Sequence, residues 1–258
     1  MHRDAELSEG PVRVIRPGGT SSVLLVCEHA SAFIPPEFAN LGLSTEARRS
    51  HAAWDPGALA VAEGLSARLD AALVSGTVSR LVYDCNRPPD APDAMRERSE
   101  VFDVPGNRNL SAADRAARVR VFYDPFRAAL ADRIARAEAP VIVTLHSFTP
   151  VFHGQRRAVE IGVLHDSDAR LADAMLAVAG DHTDAVVRRN EPYGPDDGVT
   201  HTLRAHAVAG GHPNVMLEIR SDLIATKAQQ AAMAGMLAGW LAAAFTMTGL
   251  AGAVRCTG

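Results

Sequence analysis

The sequence predicts one α/β domain with three layers, in which helices cover both faces of a mostly parallel or mixed central sheet. Apolar runs without polar alternation occur at residues 23–27, 141–145 and 215–217, as is typical of strands buried on both faces. Segments with helical spacing alternate with such runs, which favours a sheet between layers of helices. A chain of 258 residues, of which 47% are hydrophobic, can bury one core of this kind.

The first third of the chain contains predicted strands and helices in alternation. Residues 1–21 are interpreted as a polar leader ahead of a single domain at 22–258. The expected strands are 12–15 within the leader, 23–27, 73–75 and 81–83. One helix is expected to begin near Ser44, whose hydroxyl can cap exposed amides, and another to run from Ala58 to about Leu69. Pro56 and Gly57 interrupt the helical pattern between them.

A long polar loop follows. Residues 88–109 are rich in Pro, Asp, Arg and Glu and have no sustained periodicity, so we expect a lid or a substrate collar. Ser111, followed three residues later by Asp114, predicts the start of a helix that continues to about residue 137. The remaining expected elements are strands at 159–164 and 185–187 and helices at 169–178 and 224–248.

Composition and charge favour a small-molecule partner. The net charge of -4 and the pI of about 6.2 give no general attraction to nucleic acid or to an anionic membrane. Three cysteines are too few for a disulfide framework, and the polar N-terminal residues lack the apolar core of a signal peptide. The Ala-rich segment 231–244 is interpreted as a packed helix and not as a membrane span. These features predict a cytoplasmic protein, and none of them indicates an oligomeric state.

Ionisable side chains follow three of the apolar runs at the point where each run ends. His29 comes after residues 23–27, His146 after 141–145, and Glu218 after 215–217. In open α/β sheets, ligands bind in the crevice beyond the carboxyl ends of the strands. If these strands are parallel neighbours, the three side chains converge on one edge of the sheet.

Two histidines and a nearby acid indicate a zinc site. Zinc favours imidazole nitrogen and carboxylate oxygen, and a catalytic site has three protein ligands and an open fourth position. His29 and His146 supply two ligands, and the candidates for the third are Glu28, His51 and Asp55. Asp55 is favoured because it lies in an irregular turn between helical segments, where the alternative is that it caps the next helix. Glu28 is adjacent to His29, and strand alternation points such neighbours apart.

Glu218 has a different predicted role. Its position after a buried run implies desolvation, which raises the pKa of a carboxyl group and suits it to accept a proton from water. The alternative is an ion pair with Arg220. Because Arg220 lies two residues further along the strand, its side chain points to the same face as that of Glu218.

Several short motifs, taken together, resemble the N-formylglutamate amidohydrolase family. They occupy residues 27–31, 53–57, 84–88, 145–147, 190–193, 202–206 and 218–224. The resemblance implies a zinc-dependent, exopeptidase-like α/β fold related to carboxypeptidases, aspartoacylases and cell-wall amidases. It also implies hydrolysis of N-formyl-L-glutamate to formate and L-glutamate, as in histidine degradation. The motifs around His29 and Asp55 indicate a general branch of the family and not its dedicated histidine-pathway members.

The resemblance also assigns roles to individual residues. One zinc ion per chain would be held by His29, Asp55 and His146, with Glu218 as the base that later protonates the leaving amine. The developing oxyanion would be stabilised by His206 or Arg220. Since guanidinium groups bind carboxylates bidentately, the dicarboxylate substrate suggests arginines in its site. The expected substrate-binding residues are Arg87 first, then Arg80, with Asn86 and Ser147 from the neighbouring motifs.

Two other classes of function remain open at this stage. One is a different zinc amidase or peptidase that acts on another acyl-amino acid or on a peptide. The other is a non-catalytic small-molecule binding protein with the same fold, since fold does not fix function. A metal-free nucleophilic hydrolase is disfavoured, because the sequence has no Gly-x-Ser-x-Gly elbow and Cys27 and Cys85 are expected to be buried.

Overall fold

A mixed sheet runs through the centre of the protein, whose computed structural model describes residues 10–250 and 252. The strands are β1 (Val12–Ile15), β2 (Val23–Cys27), β3 (Ala72–Gly76), β4 (Arg98–Ser99), β5 (Phe102–Asp103), β6 (Val141–Phe148), β7 (Val151–Phe152), β8 (Gln155–Arg156), β9 (Ile161–Leu164), β10 (Val187–Arg189) and β11 (Asn214–Arg220). Within the described residues, seven of them form the main sheet in the order β1-β3-β2-β6-β11-β9-β10. The other four form two short hairpins, β4 with β5 and β7 with β8.

The four central strands of this sheet are parallel neighbours. β3, β2, β6 and β11 follow one another in parallel, whereas β1 is antiparallel to β3 and β9 is antiparallel to β11. β2, β6 and β11 are buried along their whole length. The predicted double-sided burial and the mixed sheet are therefore confirmed, and the parallel strands bring their carboxyl ends to one edge.

Helices cover both faces of the sheet. The helices are α1 (Thr45–Arg49), α2 (Ala58–Leu69), α3 (Ala112–Arg118), α4 (Asp124–Arg136), α5 (Arg170–Ala177) and α6 (Lys227–Met247). On one face, α2, α5 and α6 pack on alternate strand residues such as Leu25 and Val143. On the other face, Phe126 and Leu130 of α4 join a second core cluster with the intervening strand residues. This is the three-layer arrangement that the sequence predicts.

Helix α6 belongs to the core, as expected for the Ala-rich segment. By length and composition alone it could cross a membrane, with a mean hydropathy of 1.3 over its most apolar window. However, Leu237, Trp240, Leu241 and Phe245 are fully buried in the cluster shared with α2 and α5. The indole N–H of Trp240 also donates to the carbonyl of Met175 at 2.7 Å. We therefore interpret α6 as a packed helix.

Most predicted elements are confirmed. The strand predicted at 185–187 begins two residues later, as β10, and the strand predicted at 81–83 is wrong. Leu81 and Val82 lie in a turn, Tyr83 is irregular, and all three are buried in the second core cluster. They cannot pair with the preceding strand β3, because both of its sides are already paired, with β1 and β2. The helix predicted from Ser111 is present with its capping box, and a π-helical turn at Val119–Tyr123 connects α3 to α4. Residues 1–9 of the predicted leader lie outside the described residues.

The loop at 88–109 is held in place by buried polar contacts. Its Asn107 side-chain amide donates to the carbonyls of Leu81 and Arg96, both at 2.8 Å. The Asn107 side-chain oxygen accepts from Arg118 Nη1 at 2.6 Å. The backbone N–H of Asp84 donates to the carbonyl of Ala94 at 2.8 Å, which ties the loop to the strand-end region. The loop is therefore an ordered wall beside the sheet edge.

Candidate metal centre and active-site cleft

The expected convergence of three strand ends is present. His29 lies two residues after the end of β2, and His146 and Glu218 are paired in register on the neighbouring strands β6 and β11. Both strands continue past these residues, to Phe148 and Arg220, so His146 and Glu218 lie within the ladder. Glu218 has strand neighbours on both sides, in β6 and β9, and His146 is paired with β11. Neither residue lies in a free loop, because both belong to a backbone ladder.

Three potential metal ligands form a small triangle at this edge. His29 Nδ1 lies 3.2 Å from His146 Nδ1, and Asp55 Oδ2 lies 3.3 Å and 3.0 Å from these two nitrogens. Ligands about 2.0–2.1 Å from a zinc ion at tetrahedral angles would be about 3.3 Å apart. All three side chains are buried, and their ligand atoms form a group that can hold one ion.

The outer nitrogen of each histidine faces a carboxylate. His29 Nε2 lies 2.7 Å from Asp84 Oδ1, and His146 Nε2 lies 3.2 Å from Glu28 Oε2, although outside hydrogen-bond geometry. A histidine whose Nε2–H points at a carboxylate presents the lone pair of its Nδ1, as metal-bound histidines do. Two such lone pairs and a carboxylate oxygen then converge without a hydrogen between them. That donor set requires a cation, and the residues therefore fit a divalent metal ion.

The charges around His146 lead to the same conclusion. Burial alone would lower the pKa of His146, but the carboxylates of Glu28 and Asp55 raise it well above its usual value. Burial would likewise raise the pKa of Asp84, yet His29 and Arg80 hold it well below its usual value. The site is thus built for positive charge, which a metal ion supplies more directly than protonated imidazoles do.

Asp55 is held by the turn in which it was predicted to lie. Its backbone N–H donates to the carbonyl of His29 at 2.9 Å, and its Oδ2 accepts from the N–H of Ser147 at 3.2 Å. Gly57 has a φ of 82°, and a Cβ there would lie 2.6 Å from the carbonyl oxygen of Ile224. Gly57 N-caps α2 without a side-chain cap, so the alternative in which Asp55 caps that helix with its carboxylate is wrong.

The other two ligand candidates are directed elsewhere. His51 Nε2 lies 2.6 Å from Glu100 Oε2 in the loop wall. Glu28 contacts the outer nitrogen of His146 and not the inner triangle. Both therefore surround the centre without entering it.

Glu218 is a buried carboxylate without a partner. It is 5% exposed, and its Oε2 has no hydrogen-bond partner among the described residues. Burial raises its pKa to about 7, and the charge of Asp55 adds to this, against the opposing effect of His146. Its neighbour across the ladder is Gly162, where a Cβ would lie 3.2 Å from the Cβ of Glu218. The alternative, an ion pair between Glu218 and Arg220, is wrong, because Arg220 bonds Glu160 at 3.0 Å and Asp222 at 2.8 Å.

Two predicted oxyanion donors lie away from the reaction centre. The donors of Arg220 are occupied by Glu160, Asp222 and the carbonyl of Arg157. His206 lies in a π-helical turn and does not line the cleft that contains the ligands. Arg80 does line it, and its Nη1 and Nη2 donate to Asp55 Oδ1 at 3.4 Å and to Asp84 Oδ2 at 3.0 Å. Arg80 is thus the cation in direct contact with the ligand group.

The other expected substrate-binding residues have structural partners. Asn86 donates to the carbonyl of Val199, and its side-chain oxygen accepts from the N–H of Thr202 at 2.9 Å. Ser147 holds the Asp55 turn through its N–H and through a 2.9 Å bond from its hydroxyl to the carbonyl of Pro56. Arg87 is 4% exposed and clamps residues 197–198 through their carbonyls. Asn86 and Ser147 thus stabilise the structure around the cleft. Most donor groups of Arg87 are likewise used in hydrogen bonds within the protein.

The ligands open into a cleft of about 350 Å³. The loop at 88–109 forms one wall with Asp93, Arg96, Ser99 and Glu100. The lining also includes the aromatic residues Phe148, Phe152 and Tyr193. The expected collar is therefore present as a wall of the cleft.

Sequence reasoning missed the positioning roles of Asp84 and Glu28. Asp84 follows the buried segment 81–83, and Glu28 follows β2, so each acid lies where a buried apolar run ends. That position is a signal for a buried carboxylate, which must find a charged or hydrogen-bonding partner. Which histidine each acid would contact depends on tertiary structure and was not readable from spacing.

Comparisons with other proteins identify a matching family and two similar solved structures. The profile of the N-formylglutamate amidohydrolase family matches residues 21–225. A crystal structure of a gene product from Agrobacterium tumefaciens is 54% identical, with a TM-score of 0.91 over 95% of this chain and 97% of that one. An N-formylglutamate amidohydrolase from Ralstonia eutropha is 19% identical and shares the fold, with a TM-score of 0.65 over 93% of this chain and 97% of that one. A comparison with curated proteins gives no match.

Proposed function

Because the chain belongs to the N-formylglutamate amidohydrolase family, we propose that it is a metal-dependent hydrolase that converts N-formyl-L-glutamate to formate and L-glutamate. The observation that supports the metal dependence is the triangle of His29 Nδ1, His146 Nδ1 and Asp55 Oδ2 beside the unpartnered carboxylate of Glu218. Nitrogen and carboxylate donors in a three-ligand set favour zinc, and we propose one zinc ion per chain.

A zinc ion bound there would supply Lewis acidity towards the substrate carbonyl and the attacking water. Asp84 orients His29 by accepting from its Nε2 at 2.7 Å, so that Nδ1 faces the ion. Glu28 acts on His146 through charge, because its Oε2 lies 3.2 Å from His146 Nε2 without forming a hydrogen bond. The two carboxylates hold the imidazole rings in the orientation that the reaction needs.

Glu218 transfers the proton. A pKa of about 7 leaves a substantial fraction of its side chain ionised at neutral pH, so it can take a proton from water and later return it. The water oxygen forms a bond to the formyl carbon, and its proton goes to Glu218. The C–N bond then breaks, and Glu218 gives the proton to the leaving nitrogen. The products are formate and the free amino group of glutamate.

Arg80 is the proposed electrostatic partner of the substrate carbonyl. It lines the cleft and already contacts the ligand Asp55, whereas the predicted donors His206 and Arg220 lie elsewhere. A cation fixed beside the position where oxyanion charge develops stabilises the transition state more than the ground state. The ion pairs with Asp55 and Asp84 keep Arg80 in that position.

The proposed setting is that of a small-molecule enzyme in the cytoplasm, with histidine degradation as the candidate source of its substrate. The family supports an amidohydrolase, and the small cleft suits a substrate of the size of an acyl-amino acid.

The test is formate release by zinc-loaded protein on a panel of N-formyl amino acids, with a chelated sample measured in parallel. We expect turnover that depends on zinc and is highest on N-formyl-L-glutamate. The Glu218→Gln variant, loaded with the same amount of zinc, serves as the inactive control. Formate release at an equal rate after complete removal of metal would contradict the proposal. Release of a different acyl group in preference to formate would favour another zinc amidase.

A further inference from the structure

The cleft is lined by arginines as well as acids, and two of the arginines share one acidic partner. Three arginines line it, namely Arg80, Arg87 and Arg96. Arg80 donates to Asp55 and Asp84, at the end of the cleft where the metal ligands lie. Arg87 and Arg96 share one carboxylate, Asp93, at 2.7 Å and 3.1 Å. One acid thus serves two cations on the loop side.

Arg87 has little capacity for a ligand. Its Nε donates to Asp93, its Nη1 to the carbonyls of Asn86 and Gly198, and its Nη2 to the carbonyl of Asp197. These bonds use four of the donor groups of a guanidinium that has five. With 4% of its surface exposed, Arg87 cannot present a fork to a substrate carboxylate.

Arg96 differs from Arg87 in each of these respects. Its Nη2 donates to Asp93 Oδ2, and its Nε makes a long 3.4 Å contact to the carbonyl of Asp93. Its Nη1 has no partner in the part of the chain that the structure describes. The side chain is 33% exposed, and it faces the cleft. Burial lowers the pKa of Arg96, and the charges of Arg80 and Arg87 lower it further, so an anion beside Arg96 would be stabilised.

The backbone of Arg96 is fixed relative to the metal ligands. Its carbonyl accepts from Asn107 Nδ2 at 2.8 Å. Two residues earlier, the carbonyl of Ala94 accepts from the N–H of Asp84, the acid that orients His29. Arg96 is therefore a pre-organised cation at a set position in the cleft, which reduces the entropy lost on binding.

We propose that Arg96 binds the side-chain carboxylate of the substrate and thereby restricts hydrolysis to N-acyl derivatives of acidic amino acids. The α-carboxylate is bonded to the carbon that carries the scissile nitrogen, so it stays near the ligands and Arg80. The side-chain carboxylate of glutamate lies two methylene groups further away. Arg96 contacts loop residues and none of the metal ligands, which suits it to this more distant group. This inference rests on the proposed function for the identity of the reaction.

The experiment compares zinc-loaded wild type, Arg96→Met and Arg96→Lys on N-formyl-L-glutamate and on N-formyl-L-glutamine, which has nearly the same shape without the charge. Arg98→Met is the matched control, because Arg98 lies in the same loop, bonds Asp103 and is outside the cleft. For Arg96→Met we expect kcat/KM on N-formyl-L-glutamate to fall about 10- to 100-fold, mainly through KM, the range for a lost charge-assisted pair. On N-formyl-L-glutamine, and in Arg98→Met on either substrate, we expect little change. Arg96→Lys should recover part of the loss.

An equal loss on both substrates would overturn the role of Arg96, since a structural defect does not discriminate by substrate charge. A second measurement, calorimetric titration of the same zinc-loaded proteins with L-glutamate and with L-glutamine, does not depend on turnover. Preferential binding of L-glutamate that disappears in Arg96→Met would support the inference even if wild type released no formate, a result that contradicts only the proposed reaction. The inference would be overturned if wild type did not bind L-glutamate, or if Arg96→Met bound it with unchanged affinity.

Discussion

The sheet edge and the loop wall form the two sides of the cleft by different physical means. At the sheet edge, His146 and Glu218 are opposite each other in a parallel ladder, and backbone hydrogen bonds fix their separation. In the loop wall, Arg96 is held by side-chain contacts to the backbone, chiefly those of Asn107. A strand ladder tolerates little displacement, whereas a wall of this kind can change in sequence and shape while the ladder remains intact.

The difference suggests a division of roles. The groups proposed to carry the chemistry lie on strands or on turns bonded to them, where the small positional error that bond making requires can be maintained. The groups proposed to recognise the substrate lie in the loop. If the division holds, changes at the sheet edge should affect metal content and kcat, and changes in the wall should affect KM and substrate preference.

The largest expected effect comes from removal of a ligand at the sheet edge. His29→Ala or His146→Ala leaves two of the three ligand atoms of the triangle. We expect loss of bound zinc and a fall in turnover of more than about 10³-fold, well beyond the 10- to 100-fold effect of an outer-shell change. Metal analysis after gel filtration, together with the formate assay, checks this. His182→Ala, at a half-buried histidine outside the cleft, is the control that should retain its zinc. A full equivalent of tightly bound zinc in either ligand variant would contradict the assignment.

The next effect separates metal binding from proton transfer at the same edge. Glu218→Gln should retain zinc and lose about 10²- to 10⁴-fold in kcat, the usual range for a general base. In wild type, kcat/KM should fall as the pH decreases below about 7, because the carboxylate that accepts the proton becomes protonated. A bound cation lowers this pKa, so the acid limb of the loaded enzyme lies at or below that value.

A pH–rate profile between pH 5 and pH 9 checks the role of Glu218. A profile that is flat over the whole range, with a Glu218→Gln variant of wild-type turnover, would remove Glu218 from the mechanism.

The sheet edge was also the more predictable region. The runs before His29, His146 and Glu218 are apolar without alternation, so the burial of their strands and the carboxyl-end position of these residues follow from local sequence. Asp55 was predictable because the turn before α2 breaks helical periodicity. These inferences need only the local pattern of apolar residues and the rule that ligands bind at the carboxyl ends of parallel strands.

The loop wall was much less predictable. The hydrogen bonds from Arg87 to the carbonyls of residues 197–198 join residues that are far apart in sequence. Arg220 has the strand spacing expected of a partner for Glu218, but Glu160 and Asp222 lie close enough to bind it instead. The strand predicted at 81–83 failed for a similar reason, since strand order decides whether an apolar run can join the sheet. The sequence pattern therefore predicts which residues are buried, whereas the tertiary structure determines which residues a buried side chain contacts.

A smaller effect is expected where the two regions meet. Asp84 accepts from His29 at the sheet edge, and its N–H donates to Ala94 in the wall. Asp84→Asn should weaken zinc binding about 10- to 100-fold without abolishing it, as loss of an outer-shell carboxylate does. Glu28→Gln should have a smaller effect, because its contact to His146 is longer, at 3.2 Å against 2.7 Å. Competition with a chromophoric chelator measures both affinities, and Asp103→Asn in the exposed hairpin is the control. Unchanged zinc affinity in Asp84→Asn would show that His29 does not need this carboxylate.

The smallest expected effect on turnover comes from the wall alone. Asn107→Ala removes the donors to the carbonyls of Leu81 and Arg96 and an acceptor of Arg118. Buried groups left unsatisfied cost about 1–3 kcal/mol in the free energy of unfolding, which corresponds to a decrease of about 2–4 °C in Tm per kcal/mol for a chain of this size. Because the ladder that carries His146 and Glu218 is untouched, zinc content and kcat should stay near wild type while KM rises. Arg108→Ala, at an exposed residue of the same loop, should change neither Tm nor KM. A fall in kcat or zinc content in Asn107→Ala, comparable to that of Asp84→Asn, would mean that the wall also positions the reacting groups, and the division between the two regions would not hold.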